Sequence, residues 1–384
     1  MTRLARNLPG LLFGGAGLWA LFGWPFLVEK SSRVVPGIGI DVELALPVAY
    51  WPWWLVLLCA VSTATFARRP WLRLIAGGVA VATLLYGLGS AAAVQVMDEN
   101  AVQRIAPGVG FWCALGALLL LVTDAVARLQ LSASRQCVLI ALTVVVGALG
   151  LHSGHFDSIS VMREYAVNAD RFAHEFSRHL LLSLGSVLVA VWLGLPLGIV
   201  CHGRATLRQS VLATLSVVQT VPSIALFGML MAPLAALAAA WPALAQWGIG
   251  GIGYAPAFIA LCLYALLPVV ANTVLGLERV DAAVVDAAYG MGLTRFQLLT
   301  RIRWPLALPT IVTGIRVVLV QNIGLAAIAA LVGGGGLGAF IFQGIGQTAI
   351  DLVLLGALPM VMLALVAGVL LDALVERLER RRRA

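Results

Sequence analysis

About ten apolar runs, each close to the roughly 20 residues a helix needs to cross a hydrocarbon layer, fill most of this 384-residue chain. They lie near 8–28, 46–66, 74–95, 106–127, 136–151, 179–201, 210–232, 254–275, 308–332 and 352–374. The fifth is short, and 232–256 is apolar enough to hold a re-entrant segment. A chain that is 61% hydrophobic and 11% charged, with a mean hydropathy of +0.99, lies far outside the range of soluble domains. Its burial is set by lipid and by helix–helix packing. The alternating strands of about ten residues that mark a membrane barrel are missing. The expected class is all-α, a polytopic membrane helix bundle of about ten transmembrane helices.

Arg3 and Arg6 precede the first run, which at about 20 residues exceeds the apolar core of a signal peptide, so an uncleaved first helix is expected. Cys59, Cys113, Cys137, Cys201 and Cys262 each fall within or at the end of an apolar run. Their number is odd and no C-x-x-C occurs, so they are expected to be buried free thiols.

The formal net charge of +8 is not spread as a nucleic-acid surface would need. Arg3, Arg6, Arg68, Arg69, Arg73, Arg128, Arg135, Arg204 and Arg208 all fall on one side of the expected spans. Arg279, Arg295, Arg301, Arg303, Arg377 and Arg380–Arg383 join them, making 18 of the 25 basic residues. The other side holds Lys30, Arg33, Arg104, Arg163, Arg171 and Arg178, interleaved with nine acids from Glu29 to Glu175. By the positive-inside rule both termini and 276–307 face the cytoplasm. The basic tail, 377–384, is expected to anchor to anionic membrane lipid, with no nucleic acid involved.

The loop before the ninth run is unusual because charge and glycine interrupt apolar sequence there: "DAAYGMGLTRFQLLTRIRWPLALP", 286–309. Asp281 can cap a first short helix that stops at Gly290 or Gly292. Thr294 to Gln297 has the pattern of a capping box opening a second. Phe296, Leu299, Ile302 and Arg303 then share one face, Pro305 ends the helix, and Pro309 begins the next membrane run. Gly292 is expected to make the tight reversal that lets the second helix dock, which a side chain there would block. Such an apolar ridge suits either a groove on a cytoplasmic partner or the lipid surface.

The segment resembles the EAA loop of bacterial ABC importer permeases: E-A-A, three residues, G, nine residues, then I-x-L-P. Here Asp286-Ala287-Ala288, Gly292 and Ile302-Arg303-Trp304-Pro305 keep every spacing, with Asp286 in place of Glu and Trp304 in place of Leu. The stretches "HLLLSLGSVLVAVWLGLPLGI" (179–199), "SVVQTVPSIALFGML" (216–230) and "LVGGGGLGAFIFQGI" (331–345) resemble permeases of glycine-betaine, choline and carnitine importers. The resemblance covers roughly 175–375, with residues 1–150 and their five extra helices similar only to the long-permease variant. It implies a type I importer permease core over 179–376, a coupling loop at 281–305, and a periplasmic loop with an amphipathic helix at 151–178. Asp286, Ala287, Ala288, Gly292, Arg295, Phe296, Leu299, Ile302 and Pro305 would meet an ABC ATPase subunit. A second permease, identical or not, and a periplasmic or lipid-anchored solute-binding protein would complete an inner-membrane importer of osmoprotectants. An importer of another amine or an amino acid is the nearest alternative, and a stand-alone secondary transporter is the rival from another class.

Other motifs bear on that assignment. Gly333–Gly336 with Gly338 is no phosphate loop, because G-K-[ST] is lacking and Lys30, the one lysine, is remote. ATP hydrolysis is therefore expected from a partner, and the glycines from a gate, a hinge or a plain tight turn. His152 and His155 have ligand-like types without a supporting cluster, so no metal or cofactor is expected. Val161, Tyr165, Phe172 and Phe176 mark one amphipathic helix at the outer interface, flanked by Arg163, Glu164, Arg171 and Glu175. Arg316, alone within a core span, is expected to snorkel. Gln219, Thr220, Pro222 and Ser223, in a helix kinked at Pro222, are candidates for the translocation pathway, with Gln321 and Asn322. Bonds to neighbouring helices are their alternative role. Trp192, Phe227 and Tyr264 offer π-faces to a quaternary ammonium or simple packing.

The charge distribution makes a topology prediction. A cysteine placed at Thr294 in a cysteine-free background should react with an impermeant thiol reagent only after the membrane is opened to expose its inner face. Labelling from outside intact spheroplasts would reverse the orientation.

Overall fold

The computed structural model describes residues 3–32, 35–96, 103–246 and 248–383; Arg33, placed above among the outer charges, lies outside them. Among the described residues, eight helices are long and apolar enough to cross a membrane, alongside the shorter apolar helix Trp51–Phe66. The seventh expected run is not one kinked helix. It divides into Ala205–Thr220 and Ser223–Ala240, because Pro222 has no N–H and forces Val221 into extended backbone at φ −70°, ψ 127°. The chain forms two compact units, Met1–Val167 with Gln347–Asp351, and Asn168–Gly346 with Leu352–Ala384.

In the first unit, Arg3–Gly23 packs along Val109–Leu129, and Pro70–Gln95 packs against both Trp51–Phe66 and Val109–Leu129. Phe26, Trp53, Leu57, Leu84, Phe111 and Leu118 meet in its core. Ala133–His152 keeps its apolar side chains outside that core, Val138 and Leu149 being 67% and 64% exposed. For a spanning helix this is the arrangement that lipid solvates without cost.

A three-stranded antiparallel sheet, unforeseen in the sequence, joins the helices. Strand β1 (Leu27–Lys30) lies between β2 (Ile38–Ile40) and β3 (Arg104–Pro107), with Leu27 opposite Ile40 and Pro107. The sheet holds buried charge. Lys30 is 7% exposed with Nζ 3.8 Å from Asp351 Oδ2, while Asp351 Oδ1 accepts a hydrogen bond from Ser160 Oγ at 2.7 Å. Glu164, expected on the wet flank of an amphipathic helix, is only 2% exposed and lies 3.6 Å from Arg104 Nη1. That expected single helix is in fact two, Ser160–Val167 and Ala169–Leu180. His155 stacks on Tyr86 at 4.5 Å, with Nε2 2.9 Å from the Tyr86 carbonyl oxygen, so its ring makes packing contacts.

In the second unit, Ala169–Leu180 passes without interruption through a π-helical turn, Leu181–Gly185, into Ser186–Gly203. Tyr254–Glu278 is the central helix and packs against both Ser186–Gly203 and Trp304–Leu325. Leu182, Phe227, Leu261, Tyr264 and Ala326 form one core cluster along it, and Val187, Ala265, Val269 and Val318 another. Arg316 does not snorkel: its Nη1 lies 2.7 Å from Asp372 Oδ1 on the last helix, Ile350–Arg383.

The buried pair in the first unit generates a stability prediction. Lys30→Met leaves the Asp351 carboxylate without its cation and should cost about 3 kcal/mol. The double variant Lys30→Met with Asp351→Leu should recover part of that loss. Thermal unfolding of the purified chain checks both; an unchanged midpoint for the single variant would show the pair to be idle.

Candidate functional site: the loop between residues 279 and 305

The central helix ends at Glu278, which is ion-paired with Arg208 of the helix Ala205–Thr220, so the loop starts from a tied root. Asp281 Oδ1 accepts from Ala283 N at 2.9 Å and caps Ala282–Gly290, as its sequence position predicts. The chain reverses at Gly292, where φ is +80° and the N–H donates to Tyr289 O at 2.9 Å. A Cβ there would meet nothing within 4 Å in this chain, so within the chain the glycine is required by its left-handed backbone alone. Thr294 and Gln297 form the reciprocal capping box, Gln297 N donating to Thr294 Oγ1 at 3.3 Å and Thr294 N to Gln297 Oε1 at 2.9 Å.

The second arm departs from the sequence expectation. Pro305 does not end it, and Pro309 does not begin a new helix. Arg295–Leu298 runs through a π-helical turn, Leu299–Arg303, straight into Trp304–Leu325. The wider turn is where a proline that cannot donate, and whose ring crowds the preceding turn, is accommodated. It also shifts the phase of the helix, so a face assigned at spacings of three and four is wrong beyond Leu298. Leu299 packs inward against Leu277, Ala307 and Ile311, and Ile302 is half-buried. Arg303 Nη1 lies 2.7 Å from His202 Nε2.

Phe296 remains outside at 74% exposure, joined by Met291 at 71% and Tyr289 at 47%. Those two were missed because neither lies on the face the helical period selects. Asp286, Ala287 and Arg295 are exposed, while Ala288 and Leu298 are buried. The loop is a stiff, capped pair of arms with a small apolar tip.

The pathway candidates separate into two groups. Asn322 is 1% exposed, with Nδ2 donating to Ser186 Oγ at 3.0 Å and Leu261 O at 3.2 Å; it braces three helices rather than lining a wall. Gln219 Nε2 donates to Tyr264 O at 2.9 Å, and the Tyr264 hydroxyl donates to Val221 O, tying the break at Pro222 to the central helix. Phe227 and Tyr264 are buried in the core, whereas Trp192 is exposed. Thr220, Pro222 and Gln321 are exposed and Ser223 half-buried, leaving these four open to a neighbour or a solute.

Gly333, Gly335 and Gly336 all adopt positive φ, and a Cβ on Gly338 would lie 1.9 Å from Ala327 O. The turn is clamped as well as tight. Gly334 N donates to Ala329 O at 2.8 Å, and Gly336 N to Glu175 Oε2 at 2.6 Å. Arg171 adds a bond to Gln343 Oε1 at 2.7 Å and covers the Phe340 ring at 4.9 Å. Glu175 thus holds the glycine turn and Arg171 the helix Gly338–Gly346 that follows it, roles the sequence concealed because their partners lie more than 160 residues away.

Helices of spanning length joined by a capped, charged loop make this a polytopic membrane protein. Comparison places it more closely: residues 191–384 match the family described as binding-protein-dependent transport system inner membrane component, and the chain belongs to that family. Residues 7–162 match the N-terminal domain of ABC transporter permease YehY. The osmoprotectant import permease protein OsmW of Salmonella typhimurium is 40% identical over 213 residues, covering 55% of this chain and 92% of that one. The carnitine transport permease protein OpuCB of Listeria monocytogenes is 36% identical over 52% of this chain and 85% of its own. The glycine betaine/carnitine/choline permease OpuCD of Bacillus subtilis is 35% identical over 54% and 84%. The methionine ABC transporter MetNI in an inward-facing conformation is similar at a TM-score of 0.48 and 20% identity, over 54% of this chain and 95% of that one. The chain is a multi-span permease subunit of an ABC transporter.

Asn322 supplies the prediction here. Asn322→Leu removes the donor to Ser186 and Leu261 and should cost about 1–2 kcal/mol, seen as a lower unfolding temperature in detergent. Gln321→Leu, one residue away and exposed, should leave it unchanged. Equal effects would mean that the bracing bonds carry no stability.

Proposed function

We propose that this chain is the permease subunit of an ATP-driven, binding-protein-dependent importer that carries glycine betaine or a related quaternary-ammonium osmoprotectant across the inner membrane. The observation that carries the proposal is the 281–305 loop: two capped arms, a left-handed reversal at Gly292, and Tyr289, Met291 and Phe296 exposed at its tip. The substrate class is supported by the names of the relatives, each of which matches slightly more than half of the chain.

In the proposed mechanism both termini and the loop are cytoplasmic, and the loop tip enters a groove on an ABC ATPase subunit. Two permease chains pair, with two ATPases below and a periplasmic or lipid-anchored binding protein above. ATP binding draws the ATPases together, the loops follow, and the helices rooted at residues 278 and 304 rock toward the outward-facing state. Hydrolysis, performed by the partner, resets them. Thr220, Pro222, Ser223 and Gln321 are the proposed pathway residues. The clamped turn at Gly333–Gly338 is proposed as a gate held shut by Glu175.

Uptake of radiolabelled glycine betaine by proteoliposomes containing permease, ATPase and binding protein is the direct test. Phe296→Ala should weaken ATPase capture about 30-fold, the scale of a buried aromatic anchor, and Arg295→Ala no more than about 5-fold, the scale of an exposed charge. Gly292→Ala should cost only the backbone strain of about 1–2 kcal/mol, whereas Gly292→Asp adds a charge at the contact and should abolish uptake with the permease still inserted. Normal uptake by Gly292→Asp, or ion-driven uptake by the permease alone, would overturn the proposal.

A further inference from the structure

A cavity of about 390 Å³ opens at the root of the loop, between the end of the central helix, the start of Trp304–Leu325 and the end of the last helix. Its polar lining consists of Asn272, Arg279, Thr310, Thr313 and Glu379. Arg279 and Glu379 line one space without forming an ion pair, and among the described residues neither side chain has a hydrogen-bond partner. Opposite charges that share a cavity without neutralising each other are arranged for a ligand carrying both.

Hydrogen-bond capacity fixes which charge goes where. Thr313 Oγ1 donates to Pro309 O at 2.8 Å, which leaves its oxygen to serve as an acceptor. Asn272 Nδ2 donates to Pro268 O at 2.8 Å, which leaves its amide oxygen as a further acceptor. The Thr310 hydroxyl makes no hydrogen bond among the described residues and is free to donate beside the Arg279 guanidinium. One group of the lining therefore donates to an anion, and the other, Glu379 with Thr313 and Asn272, accepts from a cation that has several N–H bonds.

We propose that this cavity binds the headgroup of an ethanolamine phospholipid, with its phosphodiester on Arg279 and Thr310 and its ammonium on Glu379, Thr313 and Asn272. A primary ammonium offers three donors to the three acceptors. A quaternary ammonium offers none and is bound instead by aromatic faces, which this lining lacks, so choline lipids and betaine are poor ligands. An anionic glycerol headgroup would leave Glu379 opposed to a negative ligand with no ammonium to balance it. Leu275, Val280, Leu306 and Pro309 complete the wall and supply the apolar surface that a glycerol backbone and acyl chains require. The position, at the ends of spanning helices, is where a headgroup lies. A bound headgroup would brace the two roots of the loop against the last helix. The site does not depend on the transported substrate.

The test is native mass spectrometry of the full chain, delipidated in detergent and offered dioleoyl phosphatidylethanolamine, phosphatidylglycerol and phosphatidylcholine at equal concentration. The ethanolamine lipid should be retained at least fivefold over the other two. Arg279→Gln should reduce its retention about tenfold, Glu379→Gln should equalise it with phosphatidylglycerol, and the near-isosteric Thr310→Val should give an intermediate loss. Unfolding temperatures of the variants confirm that each is folded. Soluble phosphoethanolamine at millimolar concentration should not displace the lipid; displacement would make a free metabolite the ligand and overturn the lipid assignment. Equal retention of the three lipids, or a preference that Glu379→Gln leaves intact, would also overturn it. Uptake is not the readout, so failure here and failure of the importer proposal are separable.

Discussion

The permease half depends on how closely two helices approach the central one. In lipid there is no hydrophobic gain from bringing helix to helix, so van der Waals contact and interhelical hydrogen bonds must supply the attraction. Small residues allow that contact. Cβ atoms added to Gly194 and Gly198 would lie 2.7 Å from Val269 and 2.6 Å from Thr273, and one on Gly314 would lie 2.5 Å from Asn272. At this separation Asn322 can reach both Ser186 and Leu261, and Gln219 can reach the backbone of Tyr264. Any side chain inserted at those glycines would lengthen the polar bonds as well as part the surfaces.

The same close packing explains where the polar residues of the core went. A membrane helix cannot leave amides and hydroxyls in hydrocarbon, and the nearest partners are backbone carbonyls of the adjacent helix. Asn322, Gln219 and Tyr264 are bound in this way. The residues left exposed beside the break at Pro222, where the helix has already surrendered its regular bonding, are the ones proposed for the solute.

Much of this arrangement was legible in the sequence. Apolar run length located the spans, because lipid thickness sets helix length directly. Asp281 and the Thr294–Gln297 box were read correctly because a cap is satisfied within three residues and needs nothing remote. The small sheet escaped notice because its strands are three or four residues long, too short for alternation to register. The burial of Lys30 with Asp351, the ion pair of Arg316 with Asp372 and the hold of Glu175 on Gly336 were hidden for a different reason. Each partner is chosen by the tertiary fold, and no local pattern encodes it. The exposed tip was misassigned in part because the π-helical turn breaks the periodicity on which a face is computed.

That turn leaves Arg295–Leu325 a single helical rod of 31 residues, about 46 Å long at 1.5 Å per residue. One end carries the tip that is proposed to meet an ATPase, and the other reaches past Asn322 into the membrane. With no joint at the membrane surface, the rod behaves as a lever: a tilt of 5° at one end sweeps the other through about 4 Å. The π-helical turn at residues 299–303 is the one segment along it with a different hydrogen-bond register. Substitutions that stiffen or soften those five residues would change the gain of the lever without touching either end.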